Sequence, residues 1–62
     1  MIYLTRLNQE SILLNEDQIK YIAFIPESKV TMMNGEFFLV RESGEEIINR
    51  VIEFRRRIVV LE

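Results

Sequence analysis

The chain contains no cysteine, no histidine and no tryptophan, and only one proline and two glycines among its 62 residues. Without cysteine there can be no disulfide and no thiolate metal site. Without histidine as well, the remaining metal ligands are carboxylates, which suit weakly held hard cations. The same two absences remove the usual general base and the strongest nucleophile, so a nucleophile–base pair would have to use Ser, Lys, Tyr or carboxylates. Asp17 is the only aspartate. No catalytic residue, cofactor, metal or small-molecule substrate is expected. An excess of positive charge is also missing: the net charge is −2 and the pI about 5.1, a balance that mildly repels phosphate. No apolar run approaches the ~20 residues that span a bilayer. Met1–Arg6 has neither the basic start nor the long apolar core of a secretory signal. A cytoplasmic chain is expected.

What is present is apolar surface. Hydrophobic residues make up 48% of a chain so short that it buries only about 60% of its unfolded surface. Residues 1–62 are read as one domain, and small domains without disulfides or metals commonly gain stability from a partner. Self-association is the expected means.

Val30–Met33, Asn34-Gly35 and Glu36–Val40 read as strand, turn and strand, with Asn-Gly suited to a two-residue type I′ turn. Ile2–Leu7 reads as a first strand and Ser11–Leu14 as a second, separated by the polar Asn8-Gln9-Glu10. Asn15–Gln18 is a loop or single helical turn capped by Asn15. Ile19–Ile25 is a third strand, ended by Pro26. Ser43-Gly-Glu-Glu46 has the form of a capping box opening a C-terminal helix. The fold class is therefore α+β: a small twisted antiparallel sheet of about five strands followed by one amphipathic helix. No internal repeat or linker is evident, and Ile58–Leu61 fits either more helix or a strand.

Strand three alternates Ile19, Tyr21, Ala23 and Ile25 against Ile22 and Phe24, so both of its faces are apolar. One helix can cover only one of them. On a wheel of 100° per residue, Ile47, Val51, Phe54, Ile58 and Leu61 form one seam, and Ile48, Ile52 and Val59 form a second. Arg55 falls between the two, while Glu46, Arg50, Glu53 and Arg57 form an opposite face joined by i,i+3 and i,i+4 pairs. One seam is expected on the sheet and the other on a second subunit, with Arg55 laying its stem along the contact. The basic run Arg55–Arg57 is split around the helix, which argues against one phosphate-binding patch. Glu45 and Glu46 are accounted for as first-turn acids at the positive end of the helix dipole, and Ser43 as a cap. Met32 and Met33 point to opposite faces.

Taken together, Leu4-Thr-Arg-Leu-Asn8, Leu14-Asn15 with Asp17 and Ile19, Pro26, Val30-Thr31, Asn34-Gly35, Val40, Glu42-Ser43 and the basic C-terminal helix resemble the short flagellar proteins called FlbD or SwrD. One departure is Gln9, where that family's first turn has glycine. The resemblance implies a non-enzymatic motility factor acting by protein–protein contact on a motor or basal-body partner, cytoplasmic and associated with the motor at the inner membrane. Arg6, Arg41, Ile48, Ile52, Arg55, Arg56 and Val59 are the candidate partner-binding residues, chosen on physical grounds. A second, partial resemblance is to the CsrA translational regulators, carried by Met1–Arg6, Glu10–Ile12, Arg41-Glu42 and Glu46-Ile47. It implies RNA contacts from Leu4, Thr5, Arg6 and Arg41 as the alternative. The acidic charge and the absence of that family's Gly-Asp and Ala-Pro pairs depart from it.

Overall fold

The computed structural model describes residues 1–60, with side chains through Arg57. Two hairpins and a helix follow in order. β1 (Ile2–Thr5) and β2 (Ser11–Leu14) form the first hairpin, and one 3-10 turn spans Glu16–Gln18. β3 (Ile19–Phe24), β4 (Ser28–Met32) and β5 (Phe37–Val40) form a meander, and α1 runs from Gly44 to Val60. All pairings are antiparallel. The sheet divides into a two-stranded and a three-stranded part, joined at a corner where Arg6 pairs with Val40. There the Arg41 amide donates to the Thr5 carbonyl at 2.8 Å and the Leu7 amide to Leu39 at 3.3 Å.

The two parts fold onto each other because each has one continuous apolar face. Ile2, Leu4 and Leu14 from the hairpin meet Val30, Met32 and Val40 from the meander, and Ile47 of α1 closes the cluster. Val51 and Phe54 extend it along the helix. This is the first of the two apolar seams packed as its spacing requires, and Met32 is buried while Met33 is exposed.

Strand three departs from simple alternation. The register shifts between Ile19, opposite Met32, and Tyr21, opposite Thr31, leaving Lys20 as the extra residue. A bulge of one residue reverses the facing of everything on one side of it. Ile19 therefore packs against the core with Ile22 instead of lying beside Tyr21 and Ala23. The gain is one more aliphatic side chain out of water, while Lys20 stays exposed. The Ile25–Pro26 peptide is cis, in the turn that leads into β4.

The second hairpin also corrects a turn assignment. Gly35 alone takes a positive φ, 93°, and Asn34 does not, so this is no type I′ turn. It is a three-residue loop, Met33–Gly35, in which the Gly35 amide donates to Met32 at 3.0 Å and the Met32 amide to Glu36 at 2.8 Å. The Asn34 carboxamide oxygen accepts from the Glu36 amide at 2.9 Å, an Asx-type bond that holds asparagine in its ordinary backbone region.

The first hairpin turns in the same way. Gln9 donates to Arg6 at 2.9 Å, Arg6 to Glu10 at 2.8 Å, and the Asn8 oxygen accepts from the Glu10 amide at 2.9 Å. Leu7-Asn8-Gln9-Glu10 and Met33-Asn34-Gly35-Glu36 are thus one turn used twice, a repeat hidden in the sequence because Gln9 stands where Gly35 stands. Gln9 has φ 76°, a conformation that disfavours any residue with a Cβ by roughly 1–2 kcal/mol. Gln9→Gly is expected to stabilise the protein by about 0.5–1 kcal/mol after the added freedom of the unfolded chain is counted. Gly35→Ala should destabilise it by about 1 kcal/mol from backbone conformation alone, because nothing lies within 4 Å of the added Cβ. Urea midpoints of the two variants check both signs.

Candidate interaction surfaces

The helix start is set by the expected capping box. The Glu46 amide donates to Ser43 Oγ at 3.1 Å and the Ser43 amide to Glu46 Oε1 at 3.0 Å. With Glu46 so occupied, Arg50 turns away from the helix surface. It donates to the Tyr3 carbonyl at 2.7 Å and to Glu42 Oε2 at 3.0 Å. Of the expected polar face, Glu53 does meet Arg57 at 4.0 Å, and it also meets Arg56, from outside that face, at 3.8 Å.

Glu42 is the least expected residue of the structure. Its side chain is 6% exposed. Oε1 accepts from the Thr5 amide at 2.9 Å, Oε2 binds Arg50, and its carbonyl accepts from the buried Ser28 hydroxyl at 2.6 Å. At this corner β5 gives way to the helix and leaves the outer edge of β1 without a strand neighbour. The side chains of Glu42 and Arg50 take the place of that neighbour, satisfying the Thr5 amide and the Tyr3 carbonyl. Burial pushes the Glu42 carboxyl up, but the Thr5 amide, then the nearby Arg50 charge, outweigh it and hold the group below its ordinary value. One sequence signal could have located it: Phe38, Val40 and Glu42 continue a period of two onto the inner face.

A second charged cluster ties the helix to the 3-10 turn. The Met1 amino group donates to Glu16, and Arg55 donates to Asp17 Oδ1 at 2.6 Å with Glu16 Oε2 at 3.9 Å. The hydrogen bond from the amino group, then the local backbone and Arg55, keep the Glu16 carboxyl below its ordinary value against the opposing effect of burial. Asn15 caps this turn as expected, accepting from the Asp17 amide at 3.1 Å.

The candidate contact residues fall into two groups. Arg6 and Arg41 lie at the sheet corner, each held by the first turn: Arg6 to Glu10 at 3.0 Å and over the Phe38 ring at 5.9 Å, Arg41 to the Gln9 side chain. Of their companions in the RNA-type reading, Leu4 is fully buried and Thr5 half-buried. Ile48 and Ile52 lie on the open side of α1, 59% and 50% exposed, with Arg55 and Arg56 on the same helix. The Val59 side chain lies outside the described ones. The helix continues through Val60, and Leu61 lies outside the described residues.

Phe24, placed by its alternation on the second apolar face of strand three but not among the candidate contact residues, extends the helical strip. Its ring lies over Gly44, where a Cβ would come within 2.7 Å of it, one turn before Ile48. A separate apolar face covers the outside of the meander. Tyr21, Thr31 and Phe37 are aligned across the three strands, as are Ala23, Lys29 and Leu39. Tyr21 and Phe37 are exposed, and the Lys29 ammonium sits 4.5 Å from the Phe37 ring centre. No helix of the described residues is long and apolar enough to cross a membrane, and the described residues contain no cluster of metal-ligating side chains.

A bulged meander joined at a corner to a hairpin, with a capped helix over the junction and apolar side chains left exposed on the helix and the meander, defines a small α+β domain. Over residues 1–59 the chain matches the family described as FlbD, flagellar and swarming motility proteins. It belongs to that family, and with it to flagellar and swarming motility. No curated protein and no solved structure matched the chain.

Proposed function

We propose that the protein is a non-enzymatic cytoplasmic factor that supports flagellar motor output by binding a motor component, at the stator or the basal body. The observation that carries this reading is the outer face of the meander. Soluble monomers rarely expose large contiguous apolar patches without a use for them. Here Tyr21 and Phe37, from strands three and five, stand exposed on one face, and aromatic residues are enriched in protein–protein contact regions. Arg6 and Arg41, at the corner next to β5, supply charge at the rim of the same region.

The test is complementation of a deletion strain. Loss of the gene should reduce motility, most under viscous load, and the wild-type chain should restore it. Tyr21→Glu with Phe37→Glu, on a face that contributes nothing to the core, should leave the circular dichroism spectrum and urea midpoint near wild type yet fail to restore motility. Unchanged motility on deletion, or full rescue by the double variant, rejects the proposal.

A further inference from the structure

We propose that the open seam of α1 is a homodimer interface in which two copies of the helix pack antiparallel about a two-fold axis passing level with Arg50. Core packing has used only one side of the helix. Ile47, Val51 and Phe54 face inward, whereas Ile48 and Ile52 are more than half and half exposed. They stand one turn apart on a separate strip that Phe24 prolongs over Gly44.

Charge selects both the occupant and its direction. Glu45, in the first turn, is exposed and makes no ion pair among the described residues. Arg56, near the other end of the strip, is 74% exposed and among the described residues reaches only Glu53, at 3.8 Å. In an antiparallel pair the axis sets Ile48 of one copy against Ile52 of the other. It also brings Glu45 level with Arg55, whose guanidinium is held by Asp17, and beside the more exposed Arg56, and does so twice by symmetry. In a parallel pair equivalent flanks lie on opposite sides of the seam and at the same level, so Glu45 stays about 16 Å along the axis from Arg56 of the other copy and neither meets its opposite charge. Opposite charges across an interface fix register and direction, and like charges oppose association. Antiparallel packing also places equivalent flanks of the two helices on the same side of the seam, where Glu45 and Arg56 both lie. A second copy of this chain therefore completes a surface that is self-complementary in apolar contact and in charge. This inference concerns a different face from the one assigned to the motor and stands independently of that assignment.

Light scattering and sedimentation of the full chain across concentration test it directly. The wild type should show a monomer–dimer equilibrium. Glu45→Lys alone and Arg56→Glu alone should each weaken it by about tenfold or more, with the helical circular dichroism retained. An equimolar mixture of the two variants should restore association, because each then meets its opposite charge. Because the native chain has no cysteine, orientation can be read without background. Ile48→Cys mixed with Ile52→Cys should form a disulfide-linked dimer under mild oxidant, and each variant alone should not. A monomeric wild type, charge variants that associate normally, or efficient self-linking of either cysteine variant would overturn the proposal.

Discussion

Glu42→Ala should lower the folding free energy by about 2–3 kcal/mol, the largest effect expected of any charged residue in the chain. The substitution removes the acceptor for the Thr5 amide and the partner of Arg50 at the edge where β1 has no strand beside it. Arg50, partly exposed, can recover water. The Thr5 amide is only half-buried, which keeps the effect below that of breaking a fully enclosed ion pair. Urea denaturation measures the loss, and a change under 1 kcal/mol would show that water replaces the clamp at little cost.

The same group sets a pH dependence. Glu42 and Glu16 both have folded-state values below their ordinary 4.5. A carboxyl depressed by folding stabilises the protein fully above its unfolded value, and that contribution is lost as pH falls through the folded one. Stability should accordingly be flat near neutrality and decline below about pH 4.5. In Glu42→Gln the decline should be shallower, because one of the two groups no longer titrates. Thermal melts between pH 3 and 7 give both curves.

Ile47→Ala should cost about 2–5 kcal/mol. Ile47 is 2% exposed and, among the described residues, is the one fully buried side chain that α1 contributes to the core cluster. Domains of this size have roughly 3–9 kcal/mol of total stability, so the substitution could unfold most of the population. Ile48→Ala, one residue along, should change the fold of the protomer by no more than about 0.5 kcal/mol and act on association instead. Equal effects at the two positions would mean that the division of the helix into an inner and an outer seam is wrong. The contrast is sharp because the residues have the same chemistry and the same helix propensity, and differ only in direction.

Much of this architecture could be read along the chain because it depends on neighbours in sequence. The capping box needs Ser43 and Glu46 three residues apart, the Asn15 cap needs Asp17 two residues on, and the seam Ile47–Val51–Phe54 needs only the period of a helix. The order of strands and the α+β class follow from such short-range signals. So does the family assignment, which rests on spacings spread over nearly the whole chain.

Tertiary structure decided what depends on residues far apart. The bulge at Lys20 exists because Ile19 gains a place opposite Met32, thirteen positions away, and no local pattern records that gain. Gln9 accepts a backbone conformation suited to glycine because the closure of the first hairpin requires it there. Glu42 reads as one more surface glutamate until the corner brings Thr5, 37 positions earlier in the chain, and Arg50 to its two oxygens. Arg55, placed by its wheel position between two apolar seams, meets Asp17, 38 positions earlier. Local periodicity determines which side of an element is apolar. Only the packing of the elements determines which apolar side is used up and which remains open, because burial depends on the shape of everything else in the fold.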